Sequence, residues 1–316
     1  MKYAVGVDLG GTSIKIGLVS QDGKIVKKVS VATEAHGGPR KVVCNIKKGI
    51  GELLTGITRQ VEGIGIGCPG VVNPKIGTVE NPPNFHGWKR VNIGRPLSME
   101  FEKVVFVEND ANAAAIGELI FGLGKKYNSF VMVTLGTGVG GGVVLNRKLY
   151  YGDFGAAGEI GHITIDYKGP KCNCGSYGCL EAYAGNNYLQ KRVWEKLKQN
   201  PGSLLNKLID KNYDLLTPYK IKEAADKGDK FALSVIEDLG VKLGAAFASV
   251  SNLIDVSTFI IGGGVAGFGK PLFSSIRKTL SARVLTSLRP RAKVLSAQLK
   301  NEAGIKGASA LVFHGY

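Results

Sequence analysis

Acidic residues are scarce in this chain of 316 residues: 25 Asp and Glu stand against 41 Lys and Arg, a formal net charge of +16. That imbalance admits nucleic acid, anionic membrane and phosphorylated small molecules as partners. No dense basic tail accompanies it. Lysines such as Lys24, Lys27, Lys28, Lys47, Lys48, Lys191, Lys196 and Lys198 are dispersed, the pattern of a solvated surface. The opening MKYAVGVDLGG lacks a long apolar core behind a basic start and lacks a small-residue cleavage site, so it does not read as a signal peptide. The expectation is a soluble, cytoplasmic protein with neither membrane nor nucleic acid as partner. Histidines number four and cysteines five (Cys44, Cys68, Cys172, Cys174 and Cys179), too few for a disulfide scaffold. A P-loop is missing, because none of the Gly-Lys pairs at 23, 124 and 269 is followed by Ser or Thr.

What is present is a globular composition, 44% hydrophobic and 21% charged, in about twice the length of a usual domain. Two domains or one two-lobed unit follow as the expectation. Glycine is in excess, 45 residues where a usage of about 7% would give roughly half as many. Its placement after apolar runs suggests backbone approaching a ligand. Residues 2–9, 13–20 and 24–31 read as three strands with a hairpin turn at Gln21-Asp22-Gly23. Helical spacing over 40–57 puts Val43, Ile46, Ile50, Leu53, Leu54 and Ile57 on one face, with Cys44 as ordinary packing. A strand at 61–67 precedes a Pro/Asn-rich loop from Cys68 to Gly94, and a strand at 103–107 precedes an alanine-rich helix. With an offset of 126, Val5-Gly6-Val7-Asp8-Leu9-Gly10 then lies on Val131-Met132-Val133-Thr134-Leu135-Gly136. The repeat implies a duplicated α/β architecture with a cleft between the copies. Helices from Asn186 to about Leu253, a strand 255–261, a helix 271–286, a strand 293–297 and a helix 303–313 complete the chain.

The fingerprint GxGxxG occurs at Gly65/Gly67/Gly70, Gly136/Gly138/Gly141 and Gly262/Gly264/Gly267. The first two run into non-helical sequence and the third lacks an acidic ribose partner, so none reads as a dinucleotide site. What remain are Asp8-Leu9-Gly10-Gly11-Thr12 and Leu135-Gly136-Thr137-Gly138, hairpin turns whose amides and Thr hydroxyl can face an anion. Each alone is also compatible with an ordinary tight turn. Asp8 beside such a turn repels phosphate unless a divalent cation lies between, which makes Mg²⁺ the expected companion.

Three cysteines fall within GHITIDYKGPKCNCGSYGCLEAY as C-x-C-x4-C, ten residues after His162. Thiolate and imidazole are the ligands tetrahedral zinc prefers, and His162, Cys172, Cys174 and Cys179 would leave no open position, hence a structural role. Gly175 and Gly178 would let the chain fold tightly around the ion. Reduced free thiols or one opportunistic disulfide are the alternatives. Glu159 and Glu181 flank the loop and would be fixed by it, which suits bidentate hydrogen bonding to adjacent sugar hydroxyls, unless they are plain surface charges. Asp110, after a strand end, suits a helix N-cap and equally a base for a hydroxyl proton, kept ionised by the helix dipole.

Taken together, DLGGT (8–12), ENDANAA (108–114), LGTGVGGG (135–142), AGEIGH (157–162), CNCGSYGCLE (172–181) and IIGGGV (260–265) resemble, in order and over essentially the whole chain, the ROK sugar kinases of the actin-like and hexokinase-like ATPase superfamily. Within the family the pattern is most similar to bacterial-type glucokinases. The resemblance implies a two-lobed, ribonuclease H-like α/β fold with an inter-lobe active site, a first lobe of 1–118 joined by about 300–316, and a second lobe of 119–299. It implies transfer of the γ-phosphoryl group of ATP to the 6-hydroxyl of glucose, with Asp110 as base and Gly70, Asn109, Glu159, His162 and Glu181 on the sugar. Phosphate would fall to Gly10, Gly11, Thr12 and Lys15 and to Thr137 and Gly138, and the nucleoside side to Gly262, Gly263 and Gly264. Asp8 would orient Mg²⁺, zinc would sit on His162, Cys172, Cys174 and Cys179, and a homodimer or higher homo-oligomer is implied. Glu159, where kinases of N-acetylmannosamine often carry His, favours glucose over that sugar. Another hexose and, more remotely, a sugar-responsive transcriptional regulator are the alternatives.

Overall fold

Apolar alternation builds the first sheet. Tyr3–Leu9, Ser13–Ser20 and Ile25–Ala32 form β1, β2 and β3, an antiparallel meander with Tyr3 opposite Ser20 and Ser13 opposite Ala32. These come from a computed structural model that describes residues 1–57, 61–83, 85 and 87–315. Helix α1 (Gly38–Leu54) buries Val42, Ile46, Ile50 and Leu53. Cys44, expected as packing, is exposed. At about 100° per residue it lies nearly opposite Val42 and Ile46, so the apolar face starts one residue earlier than expected.

β4 (Val61–Cys68) returns parallel to β1. The expected loop from 68 to 94 instead contains a small antiparallel sheet, β5 (Val71–Asn73), β6 (Thr78–Glu80) and β7 (Arg90–Asn92). Strands of this length are too short for alternation to show in sequence. Helix α2 (Gly94–Phe101) leads to β8 (Val104–Asn109), parallel to β4, and the large sheet is ordered β3-β2-β1-β4-β8. Helix α3 (Asp110–Phe121) follows directly.

The plan then repeats. β9 (Phe130–Leu135), β10 (Val139–Leu145) and β11 (Lys148–Leu149) arise largely from an uncharged stretch, 127–146. Helices α4 (Glu181–Ala184), α5 (Asn186–Leu197), α6 (Leu204–Leu208), α7 (Pro218–Asp226) and α8 (Lys230–Ile254) come next. β12 (Thr258–Gly262), α9 (Lys270–Arg283), β13 (Lys293–Ser296) and α10 (Ala303–His314) end the chain. The second sheet, β11-β10-β9-β12-β13, matches the first strand for strand, so the fold is α/β on a duplicated sheet. Among the described residues no helix is long and apolar enough to cross a membrane.

Two units make up the chain: Met1–Met132 with Gly142–Gly158 and Ala297–Tyr316, and Val133–Gly141 with Glu159–Ser296. In the first unit α10 lies on β1 and β4 at backbone contact. A Cβ at Gly6 would overlap the Ile305 carbonyl and one at Gly65 the Ala308 carbonyl; Gly117 and Gly307 allow the same approach between α3 and α10. A substantial part of the glycine excess therefore serves helix packing, where the sequence suggested ligand contact.

Candidate functional site

In the first unit, β8 ends at Asn109 and α3 starts at Asp110. Asn109 caps the helix. Its Oδ1 accepts the N–H groups of Ala111 (2.9 Å) and Asn112 (3.2 Å), and its Nδ2 donates to the Gly70 carbonyl at 3.1 Å. The cap considered for Asp110 thus belongs to its neighbour, and Asp110 is the first helical residue. It is exposed at the positive end of the dipole, with Oδ1 accepting from Ala111 N–H at 2.8 Å. Gly70 has φ 94°, and a Cβ there would come within 2.8 Å of the Glu80 carbonyl oxygen, so the bend beside Asn109 requires glycine.

Glu108 lies beneath this corner and carries no sequence signal beyond its position. Only 3% exposed, it accepts the Asn109 N–H at 2.8 Å and Asn112 Nδ2 at 3.0 Å on Oε1, and the Tyr151 hydroxyl at 2.9 Å on Oε2. Burial pushes its carboxyl above the usual range, and these hydrogen bonds pull it back. The corner that presents Asn109 and Asp110 is thereby held from below.

Asp8 lies on β1 just before the turn of Gly10, Gly11 and Thr12, with Lys15 Nζ at 3.8 Å. Burial raises its carboxyl and Lys15 lowers it. Gly10 N–H donates to Ser13 at 3.1 Å, Thr33 Oγ1 donates to the Gly10 carbonyl at 2.6 Å, and Gly11 and Thr12 are exposed at the tip.

In the second unit the equivalent turn is tied from several sides. Gly136 N–H donates to Gly138 at 3.0 Å, Asn186 N–H donates to Gly136 at 3.0 Å, and Val139 N–H donates to Glu181 Oε2 at 3.0 Å, while Thr137 is exposed. Gly262 ends β12, the strand beside β9, and Gly264 opens a 3-10 turn. Gly263 between them packs on Leu135, leaving no room for a Cβ. Thr137, Gly138 and Gly262 to Gly264 thus lie at the same end of the neighbouring strands β9 and β12.

The loop after Glu159 brings His162, Cys172, Cys174 and Cys179 together, with all four ligand atoms within 4.8 Å of one another. Gly178, at φ 66°, lies against Asp166, and Tyr183 Oη donates to Asp166 Oδ2 at 2.9 Å, closing the loop. Cys174 Sγ and Cys179 Sγ are 3.7 Å apart. A disulfide would need about 2.05 Å. Bonds of about 2.3 Å at tetrahedral angles put zinc-bound sulfurs about 3.8 Å apart, so the quartet fits zinc in both donor type and spacing. His162 Nδ1 faces Cys172 Sγ at 3.9 Å and its Nε2 faces Glu159 Oε2 at 4.0 Å. With a metal on Nδ1 the proton rides on Nε2, directed at Glu159. Burial pushes the Cys179 thiol up to about 12, so metal binding must release its proton. Burial also raises the Glu159 carboxyl, with His162 opposing and Glu181 reinforcing the shift.

A duplicated sheet with a glycine turn opening each half defines the actin-like ATPase class of α/β proteins. Within that class the chain belongs to the ROK family, whose sequence profile matches residues 4–314. A glucokinase of Thermotoga maritima is 37% identical over 98% of this chain and 96% of its own. A ROK family glucokinase from Streptomyces griseus, solved in complex with glucose and AMPPNP, is 37% identical, with a TM-score of 0.87 over 98% of both chains. A xylose repressor of Caldicellulosiruptor bescii is 29% identical, and this chain spans 77% of it.

Proposed function

We propose that this protein is an ATP-dependent glucokinase that feeds glucose 6-phosphate to glycolysis in the cytoplasm. The observation that carries the reading is the likeness of the chain over nearly its full length to glucokinases; an exposed, helix-seated Asp110 in the first unit and, in the second, a metal-fitting loop flanked by Glu159 and Glu181 are each what such a kinase needs. Glucose would be held by Glu159, His162, Glu181 and Asn109 and by the Gly70 backbone. Asp110 accepts the 6-hydroxyl proton as that oxygen bonds to the γ-phosphorus and the bond to the β,γ-bridging oxygen breaks, releasing ADP. The turns at 10–12 and 137–138, with Lys15, would hold the phosphates, and Gly262 to Gly264 would border the nucleoside. Mg²⁺, held near Asp8, would neutralise phosphate charge; zinc on the Cys₃His quartet would be structural. The active form is proposed to be a homodimer or higher homo-oligomer.

A coupled assay across a panel of hexoses and of ATP, ADP and polyphosphate tests the reading, with glucose and ATP expected to lead. Asp110→Asn should lower turnover by about three orders of magnitude or more with glucose affinity nearly unchanged, since only charge and basicity are lost. Retention of a tenth of wild-type turnover would remove Asp110 from the role of base. The repressor relative supports a second reading as a sugar-responsive regulator, for which salt-dependent retention on DNA without kinase activity would be the sign.

A further inference from the structure

Glu181 makes contacts that holding a sugar does not require. Its Oε2 accepts the Val139 N–H at 3.0 Å, and Gly138 lies so close that a Cβ there would overlap the same oxygen. Oε1 points the other way, 4.0 Å from Cys172 Sγ in the metal quartet. One carboxylate therefore joins the loop assigned to zinc and sugar with the turn assigned to ATP phosphates. The backbone around it is anchored to the same two features: Leu180 N–H donates to Ile163 at 2.9 Å, and Asn186 N–H donates to Gly136 at 3.0 Å.

We propose that Glu181 is a positioning residue for the Thr137-Gly138 turn, so that sugar and nucleotide bound to the second unit tighten each other. The proposal rests on the kinase reading above. A sugar hydroxyl donating to Oε1 fixes the carboxylate rotamer, which fixes Oε2 on Val139 N–H and so presets the turn for phosphate. A link between two binding equilibria is reciprocal, so the turn must influence sugar affinity by the same factor that sugar influences nucleotide affinity.

Calorimetry on the full-length, zinc-loaded protein tests this, with glucose and AMPPNP as probes. In the wild type, glucose should tighten AMPPNP about 5- to 20-fold, within the usual range of coupling between sites. Glu181→Ala should weaken AMPPNP several-fold even without sugar and abolish the glucose effect. Glu181→Gln retains a carbonyl oxygen for Val139 N–H and should restore most of the sugar-free AMPPNP affinity, which a purely sugar-binding role would not predict. The reciprocal variant is Gly138→Ala, whose methyl displaces Glu181 Oε2 and should weaken glucose several-fold with no nucleotide present. Melting temperature and zinc content check folding; should Glu181→Ala not fold, Gly138→Ala carries the test. Wild-type AMPPNP affinity in folded Glu181→Ala, or wild-type glucose affinity in Gly138→Ala, overturns the proposal. A wild type that binds both probes independently also overturns it and leaves the kinase reading standing. Binding of neither probe overturns the kinase reading itself.

Discussion

Gly304 occupies the first turn of α10, where alanine would favour the helix by about 1 kcal/mol. Its neighbour explains the glycine. A Cβ on Gly304 would lie 2.6 Å from Asp8 Cγ and 2.9 Å from both carboxylate oxygens, so the Asp8 side chain rests on the helix backbone. Gly304→Ala should therefore leave the melting temperature unchanged or raised while displacing Asp8. The expected result is a Mg²⁺ requirement raised about tenfold with glucose affinity unchanged. Asp8→Asn should give the same shift, and adding Gly304→Ala to it should do nothing more, because neighbours acting through one carboxylate are not additive. Thr134→Asn, at the equivalent place in the second half, should be milder. A wild-type Mg²⁺ titration for Gly304→Ala would sink the metal role of Asp8. Asp8 itself was legible in the sequence because a carboxylate next to a glycine turn is chemically conspicuous. Gly304 and Glu108 were not, since their meaning lies in partners brought close only by the fold: Asp8 for one, Tyr151 for the other.

Among the elements, the loop from His162 to Cys179 was the most legible, because ligand type and spacing restrict what can bind there. The small sheet of β5, β6 and β7 was the least, because strands of three residues leave no periodic trace. The metal loop has almost no apolar core of its own; Cys172, Cys179 and Ala182, with Tyr188 against them, are what it buries. On the proposed reading, zinc on the quartet supplies much of its order, beside the hydrogen bonds that close the loop. We expect one zinc per chain in freshly purified protein, and a lower melting temperature with weaker glucose binding in each Cys→Ser variant. Cys179→Ser should cost most, since Cys179 is fully buried, and Cys174→Ser least, since Cys174 is exposed. Elemental analysis, thermal unfolding and glucose calorimetry together check the ranking. Full activity in protein shown to be free of metal would defeat the structural role.

For the whole molecule, duplication was readable from the 126-residue offset because β1 and β9 share both burial and the turn that follows, and the matching order of the two sheets follows from it. Charge behaves differently, because its effect depends on the sum. Half of the +16 excess falls between 256 and 301, where Lys270, Arg277, Lys278, Arg283, Arg289, Arg291, Lys293 and Lys300 occur with no Asp or Glu; the dispersal seen in the lysines elsewhere does not extend there. All eight side chains are exposed. Ion pairs such as Lys28–Glu302 and Lys227–Glu223 are solvent-screened and contribute little, whereas like-charge repulsion acts across the whole surface. Salt that shortens the screening length from about 30 Å to about 3 Å should therefore raise the melting temperature at pH 7. Acid sharpens the imbalance. Glu223 and Glu302, held below the usual carboxylate range by lysines, lose their stabilising contribution as pH falls through their folded pKa values. Asp8, Glu108 and Glu159, raised by burial, act with the opposite sign and recover stability over the corresponding interval. Three such groups set against the many exposed carboxylates that become neutral leave repulsion the larger effect, so the gain from salt should be greater near pH 4 than at pH 7. A melting temperature that falls with added KCl at both pH values would mean that the ion pairs, not the excess of positive charge, dominate the surface electrostatics.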